Sequence, residues 1–290
     1  LEAIPIWLSE KLFIKQIIKR KIKKILGTNK SIPIYFSWHH LSHAASSYFT
    51  SPFESSAILS LDGVGEWSSC CIYHGHQKKI KLIKEIRYPN SIGFLYSSFT
   101  YFLGFKVNSG EYKVMGLAPF GKKSSAPVSH YKKIIYEHLV QSNEDGSFKL
   151  NLEYFRFHLG LNMIHTKKWE SLFGIKKRTE GEDIVQCHMD LALSIQEVLE
   201  ELVIKMAFHI KQITGSRNLC LAGGIALNCV LNTKIKDLGL FDQIHIQPAS
   251  GDAGGALGAA LLSYHLLNPN KEPTKTGMKD CYLGPSYQEP

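Results

Sequence analysis

None of the six cysteines, at positions 70, 71, 187, 220, 229 and 281, belongs to a C-x-x-C pair. Cys70 and Cys71 are adjacent, a spacing that suits neither a disulfide framework nor a zinc knuckle, so reduced thiols are expected. No stretch approaches the roughly 20 apolar residues needed to cross a bilayer, and no signal peptide opens the chain. A membrane span is therefore not expected, and a cytoplasmic location is. Acidic residues are the minority: 25 Asp and Glu face 34 Lys and Arg, for a net charge of +9. Residues 1–30 hold eight of those bases against Glu2 and Glu10, which leaves about +3 for everything else. Such a local excess does not make a chain-wide footprint for nucleic acid.

What is present suits a globular protein. A chain of 290 residues with 44% hydrophobic content can bury one large core or two modest ones. Residues 10–26 place Ile14, Ile17, Ile18, Ile22 and Ile25 at helical spacing between lysines, and Gly27 stops the pattern. This basic amphipathic helix, residues 1–30, reads as a surface helix with a solvated lysine face or as a face for a membrane or an acidic partner. A short strand is expected at Ile32–Phe36, a helix at His39–Tyr48 and a three-stranded meander over residues 57–86. Helices at Ser91–Leu103 and 187–213 follow, then strands at Asn218–Ala222 and Ile244–Ile246. Helix and strand alternate, so the class is α/β. Residues 124–185 show no motif and are expected to form irregular helices and loops, an inserted lobe that shapes a substrate pocket.

Chemistry concentrates at a few places. His39 and His43 lie four apart, so a helix turns both imidazoles to one face, where one cation can take both. Asp62 follows the apolar run Ala57–Leu61 and sits in the turn Asp62-Gly63-Val64-Gly65-Glu66. Gly223-Gly224 and Asn228 follow a second strand, a place where backbone N–H groups and a helix start favour an anion. Asp252 opens a helix of small residues. Two histidines and two carboxylates make a donor set suited to Fe²⁺, Mn²⁺ or Zn²⁺. Plainer readings exist: Asp62 as a cap of its own turn, Asp252 as an N-cap, Gly223-Gly224 as a tight turn, Gly254 and Gly258 as helix packing. Lys113, in a loop with Gly110, Glu111 and Gly116, is a candidate anion contact or a surface partner of Glu111.

Five stretches taken together resemble a known family. They are His39-His40-Leu41-Ser42-His43-Ala44-Ala45-Ser46, Leu61-Asp62-Gly63-Val64-Gly65-Glu66, Glu111-Tyr112-Lys113-Val114-Met115-Gly116-Leu117-Ala118, Leu221-Ala222-Gly223-Gly224-Ile225-Ala226-Leu227-Asn228 and Gly251-Asp252-Ala253-Gly254-Gly255-Ala256. In this order they resemble the O-carbamoyltransferases of nodulation-factor and antibiotic biosynthesis.

The resemblance implies an actin/sugar-kinase/Hsp70-like (ribonuclease H-like) ATPase fold. It implies one metal ion, iron in the best-known cases, on His39, His43, Asp62 and Asp252. It also implies that carbamoyl-adenylate, made from carbamoyl phosphate and ATP, gives its carbamoyl group to a hydroxyl of a sugar or other small molecule. Gly63, Gly65, Gly110, Glu111, Lys113, Gly223, Gly224 and Asn228 are then the adenylate-binding candidates. His40 and Glu66 are the neighbours with groups suited to a base.

On this reading the chain is N-terminally truncated. Residues 31–275 are the carbamoyltransferase domain, and 276–290 open a linker to an adenylate-forming domain outside the sequence. A homodimer is a candidate assembly. The alternatives are a tRNA threonylcarbamoyl transferase, a sugar kinase or ATPase of the same superfold, and a non-catalytic remnant.

Overall fold

The structure, a computed structural model, describes residues 3–28, 30–271 and 277–287. The chain divides into two compact units, residues 1–37 and 38–290. In the first, α1 (Ala3–Ile6) and a π-helical turn (Trp7–Lys11) precede α2 (Ile14–Leu26). Gly27 ends α2 in the left-handed region at φ 58°, donating its N–H to the carbonyl of Lys23. The strand expected at Ile32–Phe36 does not form. Pro33 has no N–H for a ladder, and Tyr35 and Phe36 are exposed instead of packed on a sheet.

The second unit opens with α3 (His39–Tyr48), then β1 (Ser55–Gly65), β2 (Ser68–His76) and β3 (Lys79–Arg87). Next come α4 (Ile92–Phe102), α5 (Glu111–Leu117), α6 (Ala126–Ile134), the hairpin β4 (Val140–Ser142) and β5 (Phe148–Leu150), α7 (Thr166–Phe173) and α8 (Gln186–Thr214). Strand β6 (Asn218–Ala222), α9 (Cys229–Asp237), β7 (Gln243–Ile246) and α10 (Asp252–Leu267) complete it. Residues 277–287 carry no helix or strand.

The main sheet has the order β3-β2-β1-β6-β7. The meander β1–β2–β3 is antiparallel, whereas β6 runs parallel to β1 and β7 parallel to β6. β1 is the central strand and is buried on both faces from Ser56 to Leu61, with Ala57, Leu59 and Leu61 on one face and Ser56, Ile58 and Ser60 on the other. Ala57, Leu59 and Leu61 join the larger core with Phe99, Trp169 and Val198. Ile58 joins a second core with Ala44, Ala45 and Tyr48 of α3 and Cys220 of β6. Burying each such large aliphatic side chain is worth about 1.5–3 kcal/mol relative to leaving it exposed.

Residues 124–185 do not form a lobe with a core of its own. Val128, Tyr131, Phe155, Trp169 and Phe173 belong to the larger core, and the Trp169 ring meets Phe99 edge-on at 4.8 Å. The apolar residues of this stretch carry no clean period, which is why its helices and hairpin escape a pattern reading. The stripe Leu191, Ile195, Val198, Leu202 and Met206 of α8 is buried as its spacing predicts. Among the described residues no helix is long and apolar enough to cross a membrane.

Candidate metal centre and adjoining cavity

The three parallel strands run toward one edge of the sheet, where the site residues gather. Asp62 lies within β1, just past the stretch paired with β6, because the strand continues to Gly65 and the turn expected at Asp62–Glu66 forms only at Glu66 and Trp67. β6 leads into Gly223-Gly224 and β7 into Ser250-Gly251-Asp252. Such an edge, at the carboxyl ends of parallel strands, is where open α/β sheets bind ligands. The loops are tied together: the Gly223 N–H donates to the Ser250 carbonyl at 2.8 Å. Gly223 has φ 90°, and a Cβ there would run into the carbonyl of Leu61, so the turn after β6 lies directly against β1 next to Asp62.

Helix α3 aims His39 and His43 at this edge. Glu66, at φ 50°, caps the helix: both of its carboxylate oxygens lie 3.1 Å from the His39 N–H. Gly65 leaves room beside it, because a Cβ there would collide with the His39 side chain. The Nε2 atoms of His39 and His43 are 3.0 Å apart and lie 3.0 and 2.8 Å from Asp62 Oδ2. Asp252 Oδ1 stands 3.6 and 3.5 Å from the same two nitrogens. One ligand-type atom from each of the four residues thus falls within 4.8 Å of every other. Asp252 is the first residue of α10, and the N-cap position before it belongs to Gly251.

These spacings fit a cation. Ligand bonds of about 2.1 Å separate neighbouring ligand atoms by about 3.0 Å at right angles and about 3.4 Å at tetrahedral angles. Without a cation the triangle His39 Nε2, His43 Nε2 and Asp62 Oδ2 has too many close contacts to satisfy. A proton shared between the two nitrogens cannot also serve the carboxylate, and two N–H groups aimed at one oxygen would face each other. Burial opposes ionisation of Asp62, yet hydrogen bonds from His39 and His43 outweigh it and hold the carboxyl well below the usual range. The hydrogen bond to Asp62 raises the His39 imidazole, against the effect of burial. His43 is 1% exposed, and its Nδ1 has no hydrogen-bond partner among the described residues.

Next to the cluster is a cavity of about 580 Å³. Asp62, Gly63, Gly224, Asn228 and Asp252 line it, together with Glu111. The Glu111 carboxylate accepts from Ser97 Oγ at 2.7 Å and from the N–H groups of Asn108 and Gly110 at 3.1 and 3.2 Å. Other expected residues stand back. Gly65, Gly110 and Gly223 shape loops without lining the cavity. Lys113 is exposed and lies over the Phe105 ring at 5.8 Å, so it is not brought to the cavity as an anion contact. No residue of 124–185 lines this cavity.

His40 is buried and spent. Its Nδ1 meets Ser60 Oγ at 2.8 Å and its Nε2 meets the Ser68 carbonyl at 2.9 Å, a tie between β1 and β2. Burial lowers it to about 4, so it is neutral at pH 7 and holds no free lone pair for a proton. With Glu66 committed to the helix cap, neither residue is placed as a general base. Phe94, Tyr96 and Ser97 of α4, Tyr112 and Met115 of α5, and Leu199 of α8 also line the cavity. They were not singled out from the sequence, because nothing in a mostly apolar helix distinguishes a wall residue from a core residue.

Residues 1–261 match the family model described as "Carbamoyltransferase N-terminus". An uncharacterized protein of Synechocystis sp. is 43% identical over 289 residues, covering 98% of this chain and 46% of that protein. Nodulation protein NolNO of Sinorhizobium fredii is 36% identical (87% of this chain, 34% of that protein) and nodulation protein NolO of Bradyrhizobium diazoefficiens 34% (85% and 41%). The chain spans less than half the length of these relatives. Among solved structures, full-length HypF in its phosphate- and nucleotide-bound form aligns at 15% identity with a TM-score of 0.46, over 82% of this chain and 44% of that one. With the family model matched across most of its length, the chain belongs to the carbamoyltransferase family, in the part described as its N-terminus.

Proposed function

We propose that this chain forms the transfer site of an O-carbamoyltransferase, in which a hydroxyl of a sugar or other small molecule takes the carbamoyl group of carbamoyl-adenylate. The observation that carries the reading is the convergence of His39, His43, Asp62 and Asp252 beside a cavity that Asp62 and Asp252 also line. The sheet order, with an antiparallel meander followed by two strands parallel to its first member, supports an actin/sugar-kinase/Hsp70-like arrangement.

In the transfer, the acceptor oxygen bonds to the carbamoyl carbon, the bond from that carbon to the adenylate phosphate oxygen breaks, and the hydroxyl proton leaves to the departing adenosine 5′-monophosphate phosphate or to water. A divalent cation, Fe²⁺ in this reading, supplies Lewis-acid stabilisation of the charge on the carbonyl or leaving oxygen. His39 and His43 hold their position because α3 is capped by Glu66 and packed on the sheet. Gly63 and Gly224 leave backbone open to the ligand, and Asn228 offers an amide. Glu111 carries a negative charge into the cavity, which suits a ligand hydroxyl better than a phosphate. Formation of carbamoyl-adenylate from carbamoyl phosphate and ATP is assigned to the length of the relatives that this chain does not span.

Metal analysis tests the reading. After anaerobic purification the protein is expected to carry about one equivalent of a divalent transition metal, with iron foremost. A folded sample that neither retains nor takes up Fe²⁺, Mn²⁺ or Zn²⁺ would remove the metal from the account.

A further inference from the structure

Behind the cavity wall lies a buried polar chain with no part in the metal cluster. Gln196 and Glu200 stand one turn apart on α8 and are 2% and 3% exposed. Gln196 Nε2 donates to Glu200 Oε1 at 2.8 Å and to Asn228 Oδ1 at 3.1 Å. Its Oε1 accepts from Tyr96 Oη at 2.9 Å and from Asn228 Nδ2 at 2.9 Å. The other Glu200 oxygen is bonded by Lys234 Nζ from α9. Asn228 Oδ1 also accepts the Leu231 N–H at 3.0 Å.

Counting donors and acceptors fixes the polarity of this chain. Glu200 only accepts, so it turns the amino end of Gln196 toward itself; the flipped amide would set two acceptors against each other. Gln196 is then fully satisfied, four bonds for four sites. Asn228 receives its orientation twice, from Gln196 and from the Leu231 N–H, and the two agree. Its Oδ1 is saturated and one Nδ2 hydrogen is left over. Burial, with the charges of Glu200 and Glu111 adding to it, raises the Tyr96 hydroxyl, so its proton stays and is spent on Gln196. The Tyr96 oxygen retains lone pairs only. Asn228 and Tyr96 both line the cavity, and both polar tips lie within hydrogen-bond distance of the same Gln196 oxygen.

We infer that Glu200 and Gln196 are positioning residues that set what the cavity recognises, by making its inner wall present one N–H donor beside one acceptor oxygen. The matching ligand group offers an acceptor next to a donor, as the amino edge of adenine or the ribose hydroxyls of a nucleotide do. This rests on the proposed function only in taking the ligand as an adenine nucleotide. Glu200 and Gln196 act without touching it. Lys234 Nζ pairs with the Glu200 carboxylate, inside a wall where an unpaired charge would be costly.

The probes are adenosine 5′-monophosphate and inosine 5′-monophosphate, whose six-membered ring edges have reversed polarity, with binding read by calorimetry. Gln196→Met keeps the volume and removes the relay. Glu200→Gln keeps the shape and removes the orienting charge, and covers the case in which the first variant does not fold. Both are expected to weaken adenosine 5′-monophosphate at least tenfold, with divalent-metal uptake close to wild type and a lowered but still cooperative melting transition, since each leaves buried polar partners unpaired. Glu200→Asp is expected to recover part of the loss, which a merely structural role would not give. Weak inosine 5′-monophosphate binding by the wild type assigns the pair to the base; equal binding of the two nucleotides assigns it to the ribose. Wild-type binding with unchanged affinity in both variants overturns the inference alone. No nucleotide binding by the wild type overturns the inference together with the adenylate reading.

Discussion

Gly258→Ala is expected to lower the melting temperature by roughly 6–12 °C, the equivalent of about 3 kcal/mol of overpacking. Helix α10 packs along α3, and Gly258 is where their backbones meet. A Cβ at this position would collide with the Ser42 carbonyl and press on the Ser46 nitrogen at 2.9 Å. Those atoms are helical backbone and cannot swing aside, so the helices must part. The movement has a chemical consequence, because α3 carries His39 and His43 while α10 begins at Asp252. Metal affinity should therefore fall with stability. Gly255→Ala is the control: nothing lies within 4 Å of its Cβ, and alanine there should hold or raise stability by up to about 1 kcal/mol through helix propensity. Equal melting of Gly258→Ala and wild type, by calorimetry, would show that the two helices do not meet as closely as described.

Removing a ligand is expected to have the largest effect on metal binding. His43→Ala and Asp62→Asn should each weaken divalent-metal affinity by more than the roughly 10–100-fold typical of losing an outer-shell partner. Asp62→Asn keeps the shape of the side chain and deletes its charge, so a loss there reports coordination and not packing. Protons compete for the same atoms. Since the Asp62 hydrogen bond raises His39, a falling pH should begin to expel the metal sooner than an ordinary imidazole would. Titration with Zn²⁺ against a competing chelator at several pH values measures both effects. Metal bound equally well by Asp62→Asn would exclude Asp62 as a ligand.

Much of this was legible in the sequence because the relevant signals are local. The spacing of His39 and His43 and the glycines after Ala222 and before Asp252 each depend on a few neighbouring residues, whereas the turn expected at Asp62–Glu66 is strand as far as Gly65. The helix His39–Tyr48 and the strand Asn218–Ala222 form over the very residues the pattern names. The Gly254/Gly258 spacing was legible too: both glycines are buried, and Gly258 meets α3. What the sequence withheld is non-local. Ile32–Phe36 has the composition of a strand but no partner to pair with. Asn228 was expected beside a helix running directly from the Gly-Gly turn. Instead a 3₁₀ turn, Gly224–Leu227, comes first, and Asn228 caps α9 behind it. His40 and Glu66 carry groups suited to catalysis, and only the packing shows that strand ties and a helix cap occupy them. Gln196 and Glu200 look like ordinary polar residues of a long helix. Their role follows from Tyr96 and Asn228, which the fold brings from far along the chain.

The most direct test of the central claim is a transfer assay on metal-loaded protein given carbamoyl-adenylate and a panel of sugars and aminoglycosides. Release of adenosine 5′-monophosphate and formation of the carbamate ester are followed by mass spectrometry. The account predicts that both require an acceptor hydroxyl and the metal, and that both are lost in Asp62→Asn. Carbamate ester formed at an unchanged rate by metal-stripped protein or by Asp62→Asn would contradict it.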